Sequence, residues 1–185
     1  MKIQKFNWGL FTDPIVEHSQ YKDKLLELIK NLTDDDRTNH RAYHITTKDP
    51  LVVSKTDWDL PKDFKREYLD LFYTIVSPYM KKMSIFFKKS DWTITNAWFQ
   101  QYTRNCFHSW HNHDSCMYSN IYFLELPNPK HKTELLDITT KKIIKYKAQE
   151  GDLLTFPSCI THRSKMIKDN NRKTIIAFNS NFMNK

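Results

Sequence analysis

The stretch Trp110-His111-Asn112-His113-Asp114 decides how this chain is read. On a β-strand the side chains at i and i+2 point to the same face, so His111 and His113 offer two imidazoles to one metal ion without unusual backbone. A distant third, His162, completes a facial set. It follows Gly151-Asp152-Leu153-Leu154-Thr155-Phe156-Pro157-Ser158, which reads as a turn, a buried strand and a stop. Further on stands Arg172, whose rigid guanidinium fork matches a carboxylate in bidentate fashion, with Thr174 on the same strand face. Metal ligands combined with a carboxylate clamp suggest a keto-acid cosubstrate.

Outward from the histidines, the chain from residue 92 onward is a series of short β-rich runs. Strands are expected over 93–102, 107–111, 117–126, 143–146, 153–156 and 173–182, separated by polar or proline-containing turns such as Pro127-Asn128-Pro129. Two helical patterns precede them. Tyr21, Leu25, Leu28, Ile29 and Leu32 mark an amphipathic helix over 18–32. Phe64, Tyr68, Leu71, Phe72, Ile75 and Tyr79 mark a second over 61–87, with Asp59 able to cap it and Pro78 expected to kink or split it. The expected architecture is mainly β with N-terminal helices (α+β). It forms a single domain over 1–185, a helix-rich support over 1–91 and a β-barrel core over 92–185 that carries the site.

Bulk properties narrow the function. The chain has 185 residues, enough for a core without disulfide staples. Cys106, Cys116 and Cys159 are odd in number and lack CxxC spacing, which points to a reducing cytoplasm and to small buried hydrophobes rather than a zinc knuckle. Met1–Phe6 is not followed by an apolar h-region, and no apolar stretch is long enough to span a bilayer, so neither a secretory signal nor a membrane segment is expected. With glycine only at positions 9 and 151, a Walker A loop and a GxGxxG fingerprint are both excluded. A net charge of +8 favours encounter with an anionic partner.

The motifs resemble those of the Fe(II)- and 2-oxoglutarate-dependent oxygenases, in particular small bacterial and phage-type members. Three pieces carry the resemblance. Trp110–Asp114 leading into Tyr118-Ser119-Asn120-Ile121-Tyr122-Phe123-Leu124 is similar to the HxH-containing segment and the strand after it. Gly151–Ser158 through His162 is similar to the distal-histidine strand. Arg172-Lys173-Thr174-Ile175-Ile176-Ala177-Phe178-Asn179 is similar to the arginine-x-serine strand. The resemblance covers about 92–182. It implies a double-stranded β-helix (a jelly-roll, cupin-like barrel), with His111 and His162 as iron ligands and Arg172, with Thr174 beside it, on the far carboxylate of 2-oxoglutarate. It further implies Fe(II) and 2-oxoglutarate as cofactors, and dioxygen and an unidentified substrate as partners.

Several positions depart from the family pattern or leave a choice. The family usually has a carboxylate where His113 stands. Asp114 is adjacent, but on a regular strand it faces the other way and would need a bulge to reach the metal, so geometry favours His113. Asp114 then serves either as an acceptor holding a histidine tautomer or as a solvated loop carboxylate. His108 is a candidate substrate contact or ligand, although i and i+3 do not share a face in a regular strand. Asn96, Trp98 and Gln100 alternate along one strand as a polar pocket lining or a wet outer face. Tyr122 is placed to reach a carboxylate or to pack in the core, and Asn179 to contact the cosubstrate. Two competing functions remain at this stage. One is a non-redox zinc or cupin-like metal protein; the other is a basic nucleic-acid-binding protein using Lys81, Lys82, Lys88 and Lys89.

Overall fold

A computed structural model describes residues 9–33, 43–44, 51–61 and 63–184. In chain order the elements are β1 (Phe11–Pro14), α1 (His18–Thr33), β2 (Tyr43–His44), β3 (Leu51–Val52), β4 (Lys55–Thr56), α2 (Glu67–Phe86), β5 (Asp91–Tyr102), β6 (Phe107–His111), β7 (Tyr118–Glu125), β8 (Glu134–Leu135), β9 (Asp152–Pro157), β10 (His162–Ser164) and β11 (Lys173–Met183). The strands form two antiparallel sheets, one of six strands in the order β1-β9-β7-β11-β5-β4 and one of five in the order β2-β3-β6-β10-β8. Among the described residues no helix is long and apolar enough to cross a membrane.

The six-stranded sheet separates two hydrophobic clusters. On its outer face Leu25 and Ile29 of α1 and Tyr68, Phe72, Ile75 and Val76 of α2 pack against Tyr122, Leu124, Ile176 and Phe178. On its inner face Trp98, Tyr102, Ile121, Phe123, Ile175 and Ala177 meet Val53, Cys106, Leu135, Ile160 and Ile167. Because β7 and β11 are covered on both faces, they read as continuous apolar runs rather than as an alternation. Gly151, at φ +89°, makes the turn into β9, where an added Cβ would lie 2.9 Å from the His18 ring.

The structure corrects the sequence reading in several places. The second helix starts at Glu67, not 61, and Pro78 lies within it without splitting it. The late start has a local cause. The Arg66 guanidinium gathers the carbonyls of Asp57, Leu60, Pro61 and Phe64, which fixes the preceding residues as a turn, Asp59 included. Residues 143–146 form no strand; Ile143 makes an isolated bridge to Leu136. The N-terminal half is more than a helical support, since β1 pairs with β9, β3 with β6 and β4 with β5. These short strands were missed because two to four residues carry too little periodicity to register.

Asp57 joins three of these parts. One carboxylate oxygen accepts the Phe99 backbone N–H at 2.9 Å, while the other accepts Arg66 Nε at 2.9 Å and the Tyr68 hydroxyl at 2.7 Å. The Asp57 side chain is fully buried and that of Arg66 nearly so. Removing the carboxylate strands a buried cation, a hydroxyl and a main-chain amide together. Asp57→Ala is therefore expected to cost about 3–5 kcal/mol in urea unfolding, against ~1 kcal/mol for Tyr68→Phe.

Candidate metal centre

The centre is built where β6 and β10 pair. His162 lies opposite His111 in that register, and Ser164 lies opposite His108. Two steps along β10 thus match three along β6, the signature of a bulge, and this re-aims a side chain. As a result His108 and His111, three apart, stack with ring centroids 3.7 Å apart and an interplanar angle of 17°. The sequence reading put them on different faces, as a regular strand would. His113 lies just beyond β6, its backbone N–H donating to Ser158 O at 3.0 Å.

His111, His113 and His162 each offer one ring nitrogen, and these atoms lie within 4.8 Å of one another. The tautomers of two are set by the main chain. Nδ1 of His111 is 2.9 Å from Ser109 O and Nδ1 of His162 is 3.0 Å from Ile160 O. A carbonyl can only accept, so both Nδ1 atoms carry the proton and both Nε2 lone pairs are left for the cluster. Nδ1 of His113 lies 3.2 Å from Asn179 Nδ2. Burial, reinforced by the neighbouring imidazoles, holds the His162 pKa well below its ordinary value, so the ring is neutral and ready to ligate. Three convergent imidazoles, two of them with Nδ1 anchored outward on main-chain carbonyls, are a donor set suited to zinc, iron, copper or nickel. Asp114 is exposed and lies outside this cluster, and no cysteine belongs to it.

Around the histidines lies a pocket whose lining includes Trp98, Gln100, Tyr102, His108, Thr133, Ser164 and Asn179. Trp98 stacks on His113 with centroids 6.1 Å apart at 16°, and the half-exposed Trp58 stands against Trp98 at 4.5 Å. Gln100 Oε1 accepts the Tyr102 hydroxyl at 2.7 Å. The Trp98 Nε1 and Gln100 Nε2 donors are buried and have no hydrogen-bond partner among the described residues. Asn96, on the same strand, is exposed and outside the lining.

Arg172, which the sequence offered as a carboxylate clamp, does not line this pocket. Arg172 is half-exposed and its guanidinium grips Glu125 in bidentate fashion, at 2.9 and 2.7 Å, outside the pocket. The Thr174 hydroxyl also donates to Glu125. Tyr122 belongs to the helix-covered face, its hydroxyl 2.6 Å from His18 Nδ1. Arg172 and Thr174 do share a face, as expected, but it is the one turned away from the histidines. The residue between them points inward. Lys173 is completely buried, with Nζ donating to Ser164 Oγ at 2.8 Å and lying 4.9 Å from the Tyr102 ring centroid, so it sits directly behind two pocket-lining residues. Burial alone depresses its pKa to about 7, with no carboxylate paired to it among the described residues.

No protein-family model matches the chain, and no curated protein matches it by sequence. Its structure, however, is similar to many solved ones. A Pseudomonas putida prolyl-4-hydroxylase superposes with a TM-score of 0.61 at 13% identity, covering 96% of this chain and 94% of that one. A 2OG-Fe(II) oxygenase family oxidoreductase from Burkholderia pseudomallei gives a TM-score of 0.61 at 12% identity, covering 95% and 87%. The viral collagen prolyl hydroxylase of Paramecium bursaria Chlorella virus 1, solved as a 2OG complex, gives a TM-score of 0.56 at 12% identity, covering 94% of each chain. At these identities the likeness is one of fold.

The donor set leads to a direct expectation. The protein should bind one equivalent of Zn(II) or Co(II), and alanine at His111, His113 or His162 should weaken that binding by more than about a hundredfold. Asp114→Ala should leave it within about twofold, as measured by chelator competition.

Proposed function

We propose that this chain is an Fe(II)- and 2-oxoglutarate-dependent dioxygenase of jelly-roll architecture, acting as a hydroxylase. The observation that carries the reading is the pairing of two features in one site: three converging imidazoles, and a buried lysine amine behind the same pocket wall with no carboxylate paired to it among the described residues. Burial makes the protonated form of such an amine costly unless something anionic completes it, and a dicarboxylate cosubstrate would do so. The similarity in fold to 2OG-Fe(II) oxygenases and prolyl hydroxylases supports the same conclusion.

In this reading His111, His113 and His162 hold the metal through Nε2. Lys173 takes the far carboxylate in place of Arg172, with Ser164 and Tyr102 fixing its position. The unpartnered Gln100 amide and Trp98 indole N–H face a pocket in which an acceptor would relieve them. Bound there, iron and 2-oxoglutarate supply oxidising chemistry in which decarboxylation of the keto acid to succinate is coupled to oxidation of a substrate. The protein contributes orientation and exclusion of water. Trp58 and Trp98 make an aromatic wall from solvent to His113, and we assign substrate to that wall. A peptide side chain is the substrate class favoured by the prolyl hydroxylases that share the fold.

Two measurements test the reading. Iron-loaded protein should release succinate from 2-oxoglutarate, and absence of turnover with or without peptide pools would sink it. In anaerobic titration Lys173→Met should weaken 2-oxoglutarate binding by at least about a hundredfold, whereas Arg172→Ala should change it by less than about twofold. The pH dependence has a definite sign. Lys173 must be protonated to hold the anion, and in the empty site it loses its proton as pH rises through about 7. Affinity should therefore be level below that pH and fall by up to about tenfold per unit above it, a slope that Lys173→Met abolishes.

A further inference from the structure

We infer that Asn179 is the positioning residue that turns His113 into the third metal ligand, by fixing which of its ring nitrogens carries the proton. The inference rests on the metal-site reading above and adds to it a residue on a different strand. A metal-binding imidazole needs its remote N–H held by an acceptor, which orients the ring and leaves the near nitrogen with a lone pair. His111 and His162 obtain this from carbonyls two residues earlier in their own segments, those of Ser109 and Ile160. For His113 the polar group placed at Nδ1 is a side chain from across the sandwich, the amide of Asn179 on β11 at 3.2 Å. Asn179 is 4% exposed, and the register between β11 and β5 shifts immediately after it. The strand irregularity falls at the residue that reaches the histidine.

The chemistry of the amide gives it two settings. In this structure its NH2 end faces Nδ1 and its Oδ1 accepts from the Ser119 hydroxyl at 3.4 Å. That setting puts the His113 proton on Nε2, where it would occupy the position a metal needs. A half-turn of the amide about its terminal torsion exchanges the two ends without changing their shape. Oδ1 then accepts Nδ1–H of His113, and the NH2 group donates to Ser119 Oγ, a hydroxyl that accepts as readily as it donates. Nε2 is then free to ligate. An asparagine paired with Ser119 can serve both settings, and metal binding selects the second. A leucine could serve neither, whereas an aspartate would offer an acceptor permanently.

The test is chelator competition with Co(II) or Zn(II) alone, on wild type, Asn179→Leu and Asn179→Asp, each checked for an unchanged thermal unfolding profile without metal. The expected result is a 10–100-fold loss of affinity for Asn179→Leu and equal or tighter binding for Asn179→Asp. In a His113→Ala background Asn179→Leu should have no further effect. Wild-type affinity in Asn179→Leu, or an equal loss in both variants, would overturn the inference. Should the leucine variant fail to fold, 15N spectra of wild-type histidines decide the matter. Conversion of His113 from the Nε2–H to the Nδ1–H form on adding Zn(II) supports the proposal, and a ring already Nδ1–H without metal overturns it. Failure of the oxygenase reading is distinguishable, because it would appear as absent 2-oxoglutarate binding in a protein whose metal affinity still depends on Asn179.

Discussion

The period-two alternation of β11 is the constraint on which the rest of the molecule depends. This strand is central in the six-stranded sheet, hydrogen-bonded to β5 on one side and β7 on the other, so it cannot slip without breaking both ladders. Its residues divide by parity. Ile176 and Phe178 enter the cluster under the helices, while Lys173, Ile175, Ala177 and Asn179 face the inner side that carries the histidines. One residue of slip would carry Lys173 into the helix-packed core and bring Arg172 inward. The Asp57 network reinforces this arrangement from the neighbouring strand, since its carboxylate grips the Phe99 amide of β5 together with Arg66 and Tyr68 at the start of α2.

The same alternation explains what could and could not be read from the sequence. The clustering of His111, His113 and His162 was legible because its pattern is largely local: His111 and His113 are spaced for one face, and the chemistry of imidazole is specific. The long strands over 91–102 and 173–183 and both helices were legible because ten or more residues carry their pattern. Assignment of β11 to its two faces was not legible. In Lys173-Thr174-Ile175-Ile176-Ala177-Phe178 both parities are covered, one by helices and the other by the opposing sheet, so hydrophobicity does not distinguish inside from outside. An arginine then looked like the stronger carboxylate ligand than the lysine beside it. Glu125, at the end of the neighbouring strand β7, takes Arg172 as its partner, which leaves Lys173 as the inward residue.

The bulge in β6 is a second case. Strand periodicity separates His108 from His111, and only the register against β10 shows that three steps on one strand match two on the other. The sequence around Ser109-Trp110 carries no glycine to advertise the irregularity. Its effect is to bring a fourth imidazole against the triad, stacked on His111 and itself buried. The wall of the centre is therefore aromatic on two sides, with His108 against His111 and Trp98 against His113.

That wall also determines the electrostatics of the pocket. Among the described residues the lining contains no carboxylate, and the buried Lys173 has none for a partner. His113 is an imidazole and carries no negative charge, so it would leave the positive charge of a divalent metal at the cluster undiminished, which a carboxylate in its place would not. With Lys173 protonated, the loaded pocket is one unit more positive than a two-histidine, one-carboxylate site would be. Two opposing effects follow. The metal disfavours the ammonium and pushes Lys173 further toward its neutral form, whereas a dianion between them favours both charges at once. Binding of a dicarboxylate there and protonation of Lys173 would be coupled, each weak without the other, since burial depresses the lysine to about 7 in the empty site. On the proposed function, a buried lysine depressed to about 7, costly as an isolated charge, would make dicarboxylate binding and site assembly a single event.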